Sequence, residues 1–427
     1  MRPPLPEGPY LIAGLARSGS AAARMLATHG DVIGVDSGRP EAPEGIEAHL
    51  ESDGLELLER VRCVVKSPGV PREAPVIAAA LERGLPVLGE LELAWRLLPN
   101  RFLAVTGTNG KTTTAELLGA IYRAAGAPVA VAGNVGTPLA SLVGTVATEA
   151  TVVCEVSSFQ AEDAEAFAPE CALILNLSED HLDRHGSVEA YREAKLRLFA
   201  RQGPEHVAVA PPEIDIPGEA RRVSFGGADT DLARADGELL WRGERLMAEA
   251  ELRLRGEHNL DNAMGAAAAA LACGLPAAAV AAALREFPGV PHRLEEVGSV
   301  GGVLYVNDSK ATNVSSAARG IEAFEGGVHA ILGGSLKGGD FKGLRDAVAS
   351  RCRAVYLIGE AAEELAGDLE GTVPLLRCGD LGAAVAAAAR AAQPGDTVLL
   401  SPACASFDHY RDYEERGEHF RSLVPPA

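Results

Sequence analysis

Short apolar runs, each followed by a turn and then by a small-residue stretch of helical periodicity, recur along the chain. The runs at 10–13, 32–36 and 63–66, with the LPVLGE segment ending at 90, predict a first parallel sheet. Runs at 102–106, 129–132, 151–155, 171–175 and 206–210 predict a second. Those at 303–307, 328–332, 354–358 and 397–401 predict a third. Alternation of buried strand and helix is the grammar of α/β folds, so the pattern predicts three consecutive α/β domains over 1–90, 91–289 and 290–427. A polar β-like stretch surrounds Trp241, and HNLDN at 258–262 leads into an alanine-rich helix.

The polar residues that interrupt this pattern gather after strands. FLAVTGTNGKTTT at 102–114 runs from strand to turn to helix, with Gly107 and Gly110 in the turn. Such a turn lets backbone N–H groups close on phosphate oxygens, with Lys111 reaching the terminal phosphates and Thr112 holding magnesium. Val105 stands where the usual phosphate-loop spacing has a glycine, so the turn is either a shortened relative or a look-alike. Glu155 closes TVVCE, in the position of a magnesium-associated carboxylate, and Asn176 to His181 follow CALIL. In an open parallel sheet the carboxyl ends of strands are where ligands bind, so these segments predict one shared site. His181 is suited to metal binding, to capping a helix, or to a polar loop.

A helix opening at Ser187 sets Val188, Tyr191, Leu198 and Phe199 on one face, with Lys195 in the middle of that stripe. Snorkelling to the surface is one outcome. Burial is the other; it lowers the amine pKa below about 10.4 and leaves a neutral amine able to react with carbon dioxide. The first strand runs into Gly14-Leu-Ala-Arg-Ser-Gly19, and Asp36 follows about 22 residues after Gly14, where an acidic residue often meets a ribose or base. The G-x-x-x-x-G spacing favours a nucleotide diphosphate over NAD. Two loops of the third segment, Asn307 to Asn313 and Gly333 to Gly339, and a third from Ser401 to Asp408, are rich in anion-binding groups.

Composition narrows the function classes. A net charge of −20 argues against a broad nucleic-acid surface, while leaving room for a local basic pocket. The seven cysteines form no C-x-x-C pair and read as reduced core thiols. Apolar runs are too short to span a bilayer and MRPPLPEGPY has no signal-peptide core, so a cytoplasmic protein without membrane contact is expected. Only six of the 39 basic residues are lysines, and four of the six (111, 195, 310 and 337) lie in candidate sites.

Taken together, TGTNGKTTT at 106–114, EVSSFQ at 155–160, NLSEDHLDRHGS at 176–187, YREAKLR at 191–197, HNLDN at 258–262, PHR at 291–293 and NDSKATN at 307–313 resemble the Mur ligase family, the ATP-dependent amide ligases of peptidoglycan synthesis. The match spans nearly the whole chain. LGGSLKGGDF and SPACASFDHYRDYEERG resemble the C-terminal motifs of the member that takes D-glutamate, whereas Ala16 departs from that member's more glycine-rich first turn. The resemblance implies a Rossmann-like N-terminal domain, a central P-loop ATPase-type sheet and a Rossmann-like C-terminal domain. It implies an ATP-dependent carbon–nitrogen ligase that uses ATP and two Mg²⁺ sites and joins D-glutamate to UDP-N-acetylmuramoyl-L-alanine; a monomer is expected.

Residue by residue, the resemblance implies ATP contacts from Gly107, Thr108, Asn109, Gly110, Lys111, Thr112 and Thr113, and from Asn262, Arg293, Asp308 and Lys310. Thr112 and Glu155 would hold one Mg²⁺, and His181 with a carbamylated Lys195 the second. Arg17, Ser18, Asp36 and Ser37 would meet the uridine moiety, and Asn134, Ser158 and Gln160 the sugar and lactyl-alanyl arm. Thr312, Lys337, Ser406, Phe407 and Tyr413 would receive D-glutamate. Two alternatives stand beside it: another Mur-type or folylpolyglutamate-type ligase, and a P-loop switch protein whose nucleotide hydrolysis controls a partner.

Overall fold

The computed structural model describes residues 2–254, 256–336 and 340–424, and the side chain of Asp183 lies outside the description. The chain forms two compact units, one of Met1–Leu252 with Asp261–Glu286 and one of Arg253–Leu260 with Phe287–Ala427.

The first unit opens with β1 (Tyr10–Ala13), α1 (Arg17–Leu26), β2 (Val32–Asp36), β3 (Glu47–Leu50), β4 (Cys63–Lys66), α2 (Pro75–Glu82) and β5 (Val87–Gly89). The strands make a parallel sheet in the order β3-β2-β1-β4-β5. The chain reverses direction across the sheet at β1, so the turns after β1 and β4 lie side by side at its carboxyl edge. Residues 47–50 carry no continuous apolar run; their partly exposed mix of two polar and two apolar residues is that of a sheet edge.

After α3 (Glu90–Leu97) come β6 (Phe102–Thr106), α4 (Lys111–Ala124), β7 (Val129–Gly133), β8 (Thr151–Glu155), α5 (Ser158–Glu162), β9 (Cys171–Ile174), α6 (Leu182–His185), α7 (Val188–Ala200), β10 (Val207–Ala210) and β11 (Arg221–Ser224). Their parallel sheet has the order β11-β10-β9-β6-β8-β7, which sets β6 between β8 and β9. The phosphate-type turn, Glu155 and Asn176 therefore leave three adjacent strands at one edge. A continuous core joins both sheets, with the Phe167 ring 5.5 Å from Trp95 and 6.0 Å from Phe102. The stretch around Trp241 forms an antiparallel sheet of β12 (Leu232–Ala235), β13 (Glu238–Trp241) and β14 (Glu244–Ala248).

The alanine-rich segment is α8 (Glu257–Ala272), followed by α9 (Ala277–Glu286). Asn262 was expected at a helix start. The helix instead begins at Glu257, just after Gly256 at φ +88°, and so Asn262 lies inside it.

The second unit continues with β15 (Glu295–Val300), β16 (Val303–Asn307), α10 (Val314–Glu322), β17 (Val328–Gly333), α11 (Arg345–Arg351), β18 (Cys352–Ile358), α12 (Ala362–Asp368), β19 (Leu375–Gly379), α13 (Leu381–Ala391), β20 (Thr397–Leu400) and α14 (Tyr413–Leu423). The order is β15-β16-β20-β17-β18-β19, parallel apart from β15 against β16. The four expected strands form the middle, and the two unexpected ones, β15 and β19, are its edges. Among the described residues no helix is long and apolar enough to cross a membrane, and all seven cysteines are unpaired.

Candidate active site

Strand β6 is buried throughout, Val105 included, and the turn begins only at Gly107. That is why the loop is short: the position of the missing glycine belongs to the strand. Gly107 has φ +150° and Gly110 φ +85°, and a Cβ at Gly110 would stand 1.9 Å from Asn262 Oδ1. Only glycine fits there. The segment after β9 pins the turn. The Asn176 carbonyl accepts from the Thr108 N–H at 3.0 Å, and Asn176 Oδ1 accepts from the Asn109 N–H at 2.9 Å. Thr108 Oγ1 donates to the Ser178 carbonyl and accepts from the Ser178 N–H and the Tyr191 hydroxyl, each at 3.0–3.1 Å. The N-terminus of α4, with its positive dipole end, opens directly from this turn.

Two lysines converge on the turn. Lys111 Nζ donates to the carbonyls of Gly107 and Thr108 at 2.9 Å, and Lys195 Nζ donates to the same Gly107 carbonyl at 2.9 Å. Helix α7 forms as its pattern predicts, with Ser187 capping it by accepting from the Ala190 N–H. Its inward face is Tyr191, Ala194, Lys195, Leu198 and Phe199, with Val188 half-buried. Lys195 does not snorkel: it is 1% exposed, its ammonium lying 4.7 Å from the Tyr191 ring. Burial and the Lys111 charge push its pKa well below the usual lysine value, against the opposing pull of Asp180 and Glu155.

Glu155 is buried at the end of β8, and its Oε1 accepts from Asn134 Nδ2 at 3.1 Å. His181 is exposed, in the left-handed region at φ +51°, with its ring 4.9 Å from Phe159. His185, which the sequence did not single out, pairs with the buried Ser158 hydroxyl at 3.0 Å and stacks on Phe159. Gln160 completes a capping box, its Oε1 accepting from the Ser157 N–H and hydroxyl at 3.0 Å. Among the described residues, no group of three or more His, Cys, Asp or Glu is arranged to hold a metal.

At the first sheet's carboxyl edge, Gly14 has φ +88°, and a Cβ on Gly19 would meet the Gly14 carbonyl at 1.8 Å. The glycine pair thus serves a close backbone turn even with Ala16 between them. Both Asp36 oxygens accept backbone N–H groups, from Leu15 at 2.7 Å and Gly38 at 2.8 Å, so this carboxylate shapes the turn. Arg17 and Ser37 are exposed, Ser18 is half-buried, and Arg17 Nη1 reaches the Gly136 carbonyl at 3.3 Å.

In the second unit, Asp308 is buried, with its carboxylate accepting from the Ser401 hydroxyl at 2.7 Å and the Leu294 N–H at 3.2 Å. Burial pushes its pKa up to about 7. Lys310 lies 5.1 Å from the Tyr413 ring. Thr312 and Phe407 are exposed and Ser406 is buried. Lys337 lies outside the described residues. Arg416, also not foreseen, is 1% exposed and bonds the carbonyls of Ser309, Cys404 and Ala405 and the Ser309 hydroxyl at 2.8–3.1 Å. It braces the loop leading to Thr312 against the one leading to Ser406.

Known proteins resemble this chain along nearly its whole length. Residues 105–270 match the Mur ligase middle domain and 292–404 the Mur ligase glutamate ligase domain. The chain is 42% identical to the UDP-N-acetylmuramoylalanine–D-glutamate ligase of Acidobacterium capsulatum, over 97% of this chain and 95% of that protein. It is 40% identical to the protein of the same name from Pelotomaculum thermopropionicum, over 97% and 96%. Two solved structures share the fold at lower identity. UDP-N-acetylmuramate-alanine ligase from Thermotoga maritima has a TM-score of 0.61 at 19% identity, covering 97% of this chain and 99% of that one. The MurF ligase of the same organism, in complex with ADP, has a TM-score of 0.62 at 18% identity, covering 98% and 94%. With relatives this similar over nearly their full length, the chain belongs to the UDP-N-acetylmuramoylalanine–D-glutamate ligase family of Mur ligases.

Proposed function

We propose that this protein is an ATP-dependent amide ligase that adds D-glutamate to UDP-N-acetylmuramoyl-L-alanine through an acyl phosphate, releasing ADP and phosphate in the cytoplasm. One observation supports it above the others: two lysine amines, one of them fully buried, meet on the Gly107 carbonyl beside the N-terminus of α4. Such an arrangement suits a transferring phosphoryl group: Lys111 supplies positive charge at the turn, and the buried Lys195 amine stands beside it.

A carboxylate is a poor electrophile, so the γ-phosphoryl group of ATP moves first to the alanyl carboxylate, and the glutamate amine then attacks the acyl phosphate. The turn amides from Gly107 to Thr113 hold the phosphates, and Lys111 swings from its backbone carbonyls to the γ-phosphate. Asn262, Arg293, Asp308 and Lys310 contact the nucleotide. Thr112 and the buried Glu155 offer oxygen donors of the kind Mg²⁺ takes, and the depressed pKa of Lys195 suits it to carbamylation, which would give a second oxygen donor set with His181. Magnesium bound there would neutralise charge on the phosphoryl group. Residues 1–90 bind the uridine end through Arg17, Ser18, Asp36 and Ser37. Residues 91–289 hold ATP and, through Asn134, Ser158 and Gln160, the lactyl-alanyl arm. Residues 290–427 bind D-glutamate through Thr312, Lys337, Ser406, Phe407 and Tyr413. No nucleic acid or membrane takes part, and the active species is a monomer.

Phosphate release from ATP, measured with UDP-N-acetylmuramoyl-L-alanine and single amino acids, tests this. D-glutamate is expected to stimulate release. Stimulation by another amino acid and none by D-glutamate would overturn the specificity, and slow hydrolysis indifferent to every amino acid would overturn the ligase.

A further inference from the structure

The turn after β4 is tied to the second sheet's loops by a buried charge cluster that the reaction itself does not use. Lys66, the last residue of β4, is fully buried and pairs with Asp163 at 2.8 Å, just past α5, with neither side chain more than 1% exposed. Its ammonium also donates to the Val70 carbonyl at 3.0 Å. Arg184, in α6, donates to the same Val70 carbonyl at 3.1 Å and lies 3.7 Å from Glu162. One carbonyl thus takes two cationic donors, one from each sheet's elements. The turn it belongs to supports the Gly14 loop, since the Ser67 hydroxyl donates to the Gly14 carbonyl at 2.7 Å. Arg184 in turn sits within the short helix that begins beside His181, its guanidinium 5.3 Å from the Phe159 ring.

Buried ion pairs are costly unless their geometry is good, and this cluster is incompletely bonded. Asp163 Oδ1 and Arg72 Nε are both buried without a hydrogen bond, although they face each other at 3.9 Å. A hydrophobic contact would hold two surfaces together at lower cost. What charges add is a fixed spacing and register.

We propose that Lys66, Asp163 and Arg184 are positioning residues that clamp the Val70 carbonyl and so set the distance between the uridine-binding turn and the loops beside the phosphoryl-transfer site. This rests on the proposed function, in which one substrate spans both places. A ligand that touches both ends gains from a fixed spacing, because its second contact is then made without further ordering cost; a ligand that touches one end gains nothing.

Calorimetric titration of the whole protein with UDP and with UDP-N-acetylmuramoyl-L-alanine separates the two. In Arg184→Met, the dissociation constant for UDP is expected to stay within about twofold of wild type, while that for the full substrate rises about tenfold or more. Arg184→Gln, which keeps a donor for Val70, is expected to recover part of the loss, and it also serves if the methionine variant does not fold. Equal weakening of both ligands, or of neither, in whichever variant folds would overturn the clamp. Failure of the wild-type protein to bind either ligand would instead overturn the proposed substrate itself.

Discussion

At the scale of single residues, Lys195 carries the most information. A lysine in the middle of an apolar helical stripe was visible in the sequence, and the structure resolves its two outcomes in favour of burial. Its amine donates to the turn carbonyl and faces Lys111, so on the proposed reading removing it takes away the amine that would be carbamylated. Lys195→Ala is expected to lower kcat by about a hundredfold or more, the scale of losing one preorganised electrostatic group. Added bicarbonate or short carboxylic acids are expected to restore part of it by supplying the missing oxygens. Steady-state rates with and without these additives check this, and wild-type turnover in the variant would show that the lysine is only a packed stem. Other site residues were less legible. His185 and Arg416 lie outside any periodic pattern, and their roles appear only when the chain brings Ser158 or the carbonyls of Ser309, Cys404 and Ala405 to them. Asp36 and Gln160, which the resemblance sets among the ligand contacts, also have local bonding duties that shape a turn and cap a helix.

At the scale of elements, the start of α3 offers a test by pH. Glu90 is buried there, with Oε1 accepting from the Ala140 N–H at 2.6 Å and Oε2 without a partner. Burial pushes its pKa from 4.5 up to about 7. The folded protein therefore holds a proton that the unfolded chain releases above 4.5, and stability falls as pH rises between those values. Well below 4.5 the contribution is intact; about one pH unit above 7 the loss is complete, at about 3 kcal/mol. Glu90→Gln keeps the shape without the titration. Its denaturation midpoint is expected to gain on the wild type between about pH 5 and about pH 8, whereas a constant gap would contradict the assignment.

At the scale of the whole molecule, the strands legible in the sequence are the central ones. Tyr10–Ala13, Val32–Asp36 and Phe102–Thr106 are buried almost end to end and read as apolar runs. Glu47–Leu50, Glu295–Val300 and Leu375–Gly379 are edges, where one side meets solvent and the apolar signal is lost. The ordering of strands was not legible either, and it is the ordering that sets β6 between β8 and β9 and brings the turn, Glu155 and Asn176 to one edge. That shared edge is where an acid would be activated by phosphoryl transfer. The most direct measurement uses UDP-N-acetylmuramoyl-L-alanine labelled with ¹⁸O in the alanyl carboxylate, ATP and D-glutamate, followed by mass analysis of the released phosphate. An acyl phosphate route transfers one labelled oxygen to each phosphate released during amide formation. Product formed with unlabelled phosphate would contradict it.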